Sequence, residues 1–403
     1  MTHALRLISR RRAVRGLAAC ALAPLTARAQ AWPAKPIKIT VAYPPGGVAD
    51  AMARLLADKL APVLGQSVLV DNKAGASGSI GMDAVAKAAP DGYSFGFSAI
   101  SPLVLNPHLG KSPFDAARDI APVASVIASP VLLLSTPALA AKDFRELIAA
   151  AKARPGALRW ATSGPASLGH IVLEQVKAGA GVDITHIPYK GGGQQINDAL
   201  GGQFEVLSVN AGPAVMGNLK AGKLKALAVG SPARLEQLPQ VPTLAELGLP
   251  AANLASVFGL FAPAGTPAAA IERLNAEVNK LLKDKDVLQK IDAADNVPSG
   301  GSAADFAKFI AGESASNARI IKAAAGPVDC VLDILPPAAS TAETGSPKAW
   351  MKRATLIPPP PASYLSARQR IFSVGRTWSA SAVTSRAGFI VNVTTAECLI
   401  APT

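Results

Sequence analysis

The sequence predicts an α/β protein of two lobes joined by two crossover strands. Short apolar runs alternate with amphipathic stretches along residues 30–325, as expected of strands followed by helices. Apolar strands near 128–135 and 255–267 lie beside prolines, which suggests two passages between lobes. The 296 residues of this body are enough for two hydrophobic cores.

The two passages divide the body into lobe I, residues 31–130 and 256–325, and lobe II, residues 131–255. Period-2 and period-3.6 apolar patterns place the elements within them. The predicted strands are 37–42, 67–70, 93–98, 123–127, 131–135, 158–163, 183–187, 204–209, 224–229 and 257–262. The predicted helices are 50–62, 79–89, 143–154, 167–180, 193–201, 212–221, 242–248, 267–293 and 302–324.

Residues 1–29 have the features of an export signal peptide. Six Arg and no acidic residue accompany an apolar run from Gly16 to Leu25, and Ala27-Arg28-Ala29 fits a small-residue cleavage site. The segment is too short and too basic to span a membrane. We therefore expect a periplasmic protein. Twin-arginine export, suggested by Ser9-Arg10-Arg11, and general secretion both stay open, and a lipoprotein site at Cys20 is a further alternative.

Residues 326–403 differ in character from the body. They include four consecutive prolines, Pro358–Pro361, and show no sustained helical or strand period. This composition is typical of a disordered tail. A small accessory domain and an altered reading frame near Gly326 are the alternatives.

Charge and cysteine content exclude several classes of function. Of the formal net charge of +13, residues 1–29 carry +6 and residues 326–403 carry +3, which leaves +4 scattered over the body. This is no basic patch for nucleic acid. The three cysteines, Cys20, Cys330 and Cys398, all lie outside the body. We therefore expect no thiol nucleophile, no zinc cluster, no other metal and no cofactor there.

The most informative motif is a strand, turn and helix at residues 37–56. Pro44 and Pro45 end the strand, and Gly46 and Gly47 allow backbone conformations that other residues seldom adopt. Asp50 is predicted to be the N-cap of the helix. Unpaired N–H groups at a helix N-terminus favour an anion. The candidate ligand-binding residues of this turn are Tyr43, Pro45, Gly46, Gly47, Val48 and Asp50.

Turns of related chemistry follow at 71–81, 161–171 and 186–193. Each is rich in Gly and leads from a predicted strand into a predicted helix. Ser167 would cap its helix whether or not it also binds a ligand. Asn210, after the strand 204–209, is either an amide contact or a turn former. The candidate ligand-binding residues of these segments are Ser77, Thr162, Ser163, Ser167, Tyr189, Gly191, Gly192 and Asn210.

Enzyme motifs fail on inspection. The stretch 164–169 lacks the glycine two places before its serine that a nucleophile elbow needs. The stretch 75–81 misses the spacing of a dinucleotide-binding loop. We predict no catalytic residue. A cell-envelope hydrolase that uses Ser163 or Ser167, with His170 or His186 as base, is the alternative.

Residues from Trp32 to about Lys322 resemble the Bug family of periplasmic solute-binding proteins, the receptors of tripartite tricarboxylate transporters. The resemblance lies in motifs spread in order along the chain, including YPPGGVAD, DNKAGASGSIG, HIPYKG and FGLFAPAGTP. It implies a type II periplasmic-binding-protein fold with one small carboxylate held between the lobes. By this resemblance, the loop 43–50 of lobe I would bind the ligand together with three segments of lobe II, the loops 162–167 and 189–192 and the turn after the strand 204–209.

The chain departs from the resemblance at three positions. Val209 replaces a frequent Asp, Val257 a common aromatic residue, and Asn317 a common Trp.

The expected function is that of an exported, monomeric receptor. It would bind no nucleic acid and would deliver a small carboxylate to the membrane permease subunits of the transporter. A ligand sensor for a membrane signalling partner is the alternative.

Overall fold

The computed structural model describes residues 32–110 and 112–324, so the predicted signal peptide and tail lie outside the described residues. Ten strands form one continuous sheet. The strands are β1 (Ile37–Val41), β2 (Val68–Asn72), β3 (Ser94–Ala99), β4 (Ile120–Ser135), β5 (Arg159–Thr162), β6 (Thr185–Pro188), β7 (Val206–Asn210), β8 (Lys225–Gly230), β9 (Ala255–Pro263) and β10 (Val297–Pro298).

Helices cover both faces of this sheet. The α-helices are α1 (Val48–Leu64), α2 (Ser79–Ala86), α3 (Ser101–Val104), α4 (Asn106–Leu109), α5 (Ala116–Asp119), α6 (Phe144–Ala153), α7 (Leu168–Ala180), α8 (Gly192–Leu200), α9 (Pro213–Lys220), α10 (Ala268–Leu281), α11 (Lys285–Asp292) and α12 (Ala303–Ala324). Two short 3-10 helices lie at Ala76–Gly78 and Pro250–Ala252.

The sheet has two halves that share β4. In the first half, β1 pairs in parallel with β2 and β3, and β9 pairs antiparallel with both β3 and residues 120–130 of β4. In the second half, residues 131–135 of β4 pair antiparallel with β7 and β8, and β5 pairs in parallel with β6 and β7. The halves therefore meet along one long strand.

The continuity of β4 corrects the sequence prediction, which placed separate strands at 123–127 and 131–135. Pro130 suggested a break because proline cannot donate a ladder hydrogen bond. In the structure Pro130 is the residue at which β4 changes its partners from β9 to β7 and β8. Its carbonyl still accepts a hydrogen bond from the backbone N–H of Ala211. A proline is tolerated because the ladder changes partner at this point.

Each half has its own core. Leu56 of α1 and Val278 of α10 pack with Ile39 and Phe95 on the first half of the sheet. Trp160, fully buried in β5, packs against α6 and α7 on one face of the second half. The opposite face of that half is covered by α8 and α9. The two cores leave the cleft between the halves to be lined mainly by turns and helix ends.

Two predicted helices are wrong in their extent. The helix predicted at 267–293 is two helices, because the Asp284 carboxylate accepts hydrogen bonds from the next residues and starts α11. The helix predicted at 242–248 is only a turn. Thr243 and Glu246 bond each other's backbone N–H as at a helix start, but Gly248 then adopts φ +82° and Pro250 follows.

Candidate functional site

A cleft, partly open to solvent, lies between the two halves. Tyr43, Ser101 and Ser256 line it from the first half, and Ser163, Ser167, Ser208 and Asn210 line it from the second. Phe258 and several aliphatic side chains complete the wall. Among the described residues, no Lys, Arg, His, Asp or Glu lines this cleft. Its polarity therefore comes from hydroxyl groups, one amide and the backbone.

Four helices point their N-termini at the cleft. The lining residues include Val48 of α1, Gly169 of α7, Gly192 of α8 and Ala214 of α9. The N-cap residues of α1, α8 and α9 are glycines, which make no side-chain capping hydrogen bond. The first N–H groups of a helix carry its positive partial charge. Converging N-termini in a wall without charged side chains favour a negatively charged ligand.

The turn before α1 is held in shape by Asp50. The carboxylate accepts hydrogen bonds from the N–H of Gly46 at 3.1 Å and from Asn72 at 2.9 Å, and it pairs with Arg54 at 3.0 Å. Burial opposes ionisation of Asp50, but these contacts outweigh it and lower its pKa. Asp50 is not the N-cap that the sequence predicted, because α1 begins at Val48 after Gly47.

Tyr43 lies at the other end of this turn and forms part of the cleft wall. Its ring packs edge-on against Phe258, with the centroids 6.3 Å apart, and its hydroxyl donates to the carbonyl of Ser77 at 3.4 Å. Burial raises the pKa of Tyr43 to about 12. The phenol is therefore neutral in ordinary buffers and is available as a hydrogen-bond donor.

The serine turn before α7 forms the opposite wall. Ser167 caps α7 as predicted, since its hydroxyl accepts from the backbone N–H of His170 at 3.3 Å. The Ser163 hydroxyl lies on the cleft wall. Thr162 is fully buried behind it, with its Oγ1 2.7 Å from His186 Nε2 and 3.2 Å from the N–H of Gly164. Thr162 therefore supports the turn from below.

Tyr189 faces the interior of the second half. Its hydroxyl donates to the Asp198 carboxylate at 2.7 Å, and its ring packs edge-on against Phe204 with the centroids 5.6 Å apart. Burial and the neighbouring Asp198 both raise its pKa. Tyr189 thus anchors the loop before α8 and, unlike Gly192, does not line the cleft.

The two glycine-rich loops touch each other across the cleft. A Cβ on Gly191 would lie 2.3 Å from Cδ of Pro44, and one on Gly193 would lie 1.9 Å from the carbonyl oxygen of Pro45. Real Cβ atoms do not approach backbone so closely, so glycine is required at both positions for this contact. The contact brings the N-termini of α1 and α8 side by side.

A second contact between the halves involves Ser77. Its hydroxyl donates to the carbonyl of Pro165, and a Cβ on Gly164 would lie 2.8 Å from Ser77 Oγ. Ser77 and Ala166 both have positive φ, +52° and +59°, which non-glycine residues seldom adopt. The turn that contains Ser77 and the turn that contains Gly164–Ala166 are therefore complementary in shape. Ser77 bridges the halves and does not line the cleft.

Eight of the fourteen predicted ligand-binding residues line the cleft, namely Tyr43, Gly46, Gly47, Val48, Ser163, Ser167, Gly192 and Asn210. Six lie outside its wall, namely Pro45, Asp50, Ser77, Thr162, Tyr189 and Gly191. Residues that the sequence analysis missed are Ser101, Ser208, Ser256, Phe258 and Gly212. Of these, Ser101 carried a local signal, because it precedes Pro102 directly after a strand.

Residues 52–325 match the family described as "Tripartite tricarboxylate transporter family receptor". The chain belongs to this receptor family. It is 40% identical over 287 residues to the protein BugT of Bordetella pertussis, an alignment that covers 71% of this chain and 88% of BugT. Members of the family are receptors and not enzymes, so the hydrolase alternative does not hold.

Solved structures of the receptor family share the fold of this chain. One described as a periplasmic transporter is 35% identical, has a TM-score of 0.70, and aligns over 72% of this chain and 98% of its own. A protein of R. palustris with adipate is 33% identical, TM-score 0.68, over 75% and 98%. MatC of Rhodopseudomonas palustris with bound malate is 27% identical, TM-score 0.68, over 72% and 100%. The receptor therefore has the mixed α/β periplasmic-binding-protein fold.

Two histidines form a stacked pair beneath the serine turn of the receptor. The rings of His170 and His186 lie 4.1 Å apart at an interplanar angle of 13°. His170 Nδ1 accepts from the backbone N–H of Ala166, and His186 Nε2 bonds Thr162. Neither contact involves the hydroxyl of a cleft serine. Burial lowers the pKa of His170 to about 3, aided by His186 and Lys177, and burial lowers that of His186 to about 4.

This pair should make the receptor less stable as the pH falls. Both folded-state pKa values lie below the ordinary histidine pKa of 6.5, so the unfolded chain binds more protons than the native one. The stabilisation is present above about pH 6.5 and is lost progressively as the pH falls towards the folded-state values. Urea unfolding between about pH 7 and pH 5, where few carboxylates titrate, measures the effect.

A double variant, His170→Gln with His186→Gln, provides the control for this pH dependence. It removes both titrating groups, so its free energy of unfolding should change less across the same pH range than that of the wild type. An equal slope in both proteins would show that other groups cause the loss of stability.

Proposed function

We propose that this receptor captures a small organic carboxylate in the cleft between its two halves. The observation that carries the proposal is the convergence of four helix N-termini in a wall without charged side chains. Hydrogen bonds from backbone N–H and hydroxyl groups to a carboxylate are charge-assisted and are each worth roughly 1.5–3 kcal/mol. The adipate and malate described with two relatives belong to the same chemical class.

Binding would involve closure of two lobes, residues 31–130 with 256–325 and residues 131–255. The contacts of Ser77 with Pro165 and of the loop 44–47 with Gly191 and Gly193 support this division. A ligand that touches both lobes binds the closed form more tightly than the open one, and this difference drives closure. The backbone N–H groups of Gly47 and Val48 would hold the ligand from lobe I, and Ser163 would hold it from lobe II.

Calorimetry with mono-, di- and tricarboxylates, including adipate and malate, tests the proposal. We expect at least one carboxylate to bind and the uncharged diamide of the same skeleton not to bind, because helix N-termini favour the anion. Ser163→Ala should weaken binding about tenfold through the loss of one charge-assisted hydrogen bond.

Ser67→Ala is the matched control, since Ser67 is exposed at the start of β2 and away from the cleft. It should bind as the wild type does. If no carboxylate bound, or if the diamide bound equally well, the anion site would be excluded.

We further propose that the protein is exported to the periplasm as a monomer and delivers its ligand to the permease subunits of a tripartite tricarboxylate transporter. The family description supports this partner, and the composition of residues 1–29 supports export. Cells that lack the gene should lose uptake of the labelled ligand and regain it from a plasmid copy. Unchanged uptake with an altered transcriptional response to the ligand would instead indicate a sensor.

A further inference from the structure

We propose that a second cavity, behind the carboxylate cleft, binds a small organic ammonium compound through Glu313 and Asn317. This cavity is partly open to solvent and lies between α3, the start of β9 and α12. It shares only Ser101, Leu168 and Ser256 with the cleft, so it is a separate space behind a common wall.

The cavity has an apolar side and a polar side. The apolar side includes Ile100, Val104, Leu105, Leu254, Val257 and Phe309. The polar lining residues are Ser101, Asn253, Ser256, Glu313 and Asn317. Glu313 and Asn317 lie four residues apart on α12 and therefore on the same face of the helix.

The two polar side chains lack protein partners. Asn317 is only 5% exposed, yet neither its amide nor the Glu313 carboxyl makes a hydrogen bond or ion pair with another residue that the structure describes. Desolvation raises the pKa of Glu313, and no neighbouring cation offsets it. Asn317 is buried and Glu313 is half-buried, and both line this cavity, so a bound molecule that supplies donors would satisfy both side chains.

An ammonium group supplies what these side chains lack. It carries a positive charge for Glu313 and several N–H donors for the carboxylate and the Asn317 amide oxygen. The aliphatic side of the cavity fits a short alkyl group. A carboxylate would be repelled by Glu313, which makes the preference of this cavity opposite to that of the cleft.

The test is calorimetry with n-butylammonium across a pH series from about 7 to 9, in which the amine stays protonated and binding should strengthen as Glu313 ionises. We expect binding in the roughly millimolar range, with and without saturating adipate. Glu313→Gln, which preserves side-chain volume, should weaken binding by about tenfold or more because it removes the charge. Asn317→Leu, which fills the cavity, should also weaken it, and unfolding curves will show that both variants fold.

Glu272→Gln on the exposed face of α10 is the matched control and should bind butylammonium as the wild type does. The proposal is overturned if butylammonium does not bind, if adipate displaces it, if Glu313→Gln leaves its affinity unchanged, or if 1-butanol binds equally well. Because the probe is a cation, a failure of carboxylates to bind the cleft would leave this result intact.

Discussion

Gly193→Ala is expected to weaken carboxylate binding by about a hundredfold or more. The added Cβ would overlap backbone atoms of the facing loop, and overpacking of this kind costs at least a few kcal/mol. The added Cβ would lie 1.9 Å from the carbonyl oxygen of Pro45, across the cleft. Under the proposed closure of the lobes, the clash would occur only when the two glycine-rich loops meet, so it would penalise the closed form and leave the open form unaffected. The apparent affinity then falls with the population of the closed form. Calorimetry with the best ligand of the carboxylate panel measures the loss.

Gly217→Ala is a matched control for this variant. Gly217 is also a helical glycine of the second half, in α9, and a Cβ there meets nothing within 4 Å. Both substitutions add one methyl group to a helix and should raise its intrinsic stability slightly. We expect Gly217→Ala to bind normally and both variants to unfold no more readily than the wild type. Unchanged binding by Gly193→Ala would show that the loops need not meet when the ligand is bound.

Asp50→Ala is expected to reduce both stability and ligand affinity. The carboxylate holds the N–H of Gly46, the amide of Asn72 and the guanidinium of Arg54, and its removal leaves these donors without their acceptor. We expect a loss of about 2–3 kcal/mol in the free energy of unfolding, since Arg54 is largely exposed and can be solvated. Affinity should fall about tenfold or more, because the turn that carries Gly46 and Gly47 loses its shape.

Urea unfolding and calorimetry of the same preparation measure the two effects. Asp58→Ala, an exposed position on the same helix, is the control and should change the free energy of unfolding by no more than about 0.5 kcal/mol. A stable Asp50→Ala variant that binds normally would contradict the role of Asp50 as the residue that shapes the turn.

Local signals in the sequence were enough to predict the parts of the cleft that are themselves local. A strand, a glycine- or serine-rich turn and a helix start lie within a few residues of each other, so the turns around Gly47, Ser163 and Gly192 could be predicted. The cap at Ser167 is equally local and is confirmed. The sequence pattern could not distinguish a residue that stabilises the shape of a turn from a residue that faces the cleft. Asp50 and Tyr189 were therefore assigned to the wall although their partners lie behind it.

Ser208, Ser256 and Phe258 were missed because their place in the wall depends on strand pairing between distant segments. Ser256 lies opposite Ser129 in the β4–β9 ladder, and its hydroxyl donates to Asn210 of β7 at 3.3 Å. No spacing within any one of these segments indicates that they meet. The same limitation explains Pro130, whose neighbours suggested a break although the change of ladder partner allows β4 to continue.

The pairing of β9 with strands far from it in the sequence affects the order in which the two halves of the sheet can form. Gly96 of β3 pairs with Phe261 of β9. The first half of the sheet therefore cannot form completely until β9, which is synthesised much later than β3, is available. The second half draws all its strands from the single segment between Val131 and Gly230. Distant pairings form slowly, because loop-closure entropy is lost before the contacts form. We therefore expect the half that carries the turn of Gly46 and Gly47 to fold last, with the edge of β3 exposed to wrong pairing until β9 is in place, and pulsed hydrogen exchange during refolding measures this order.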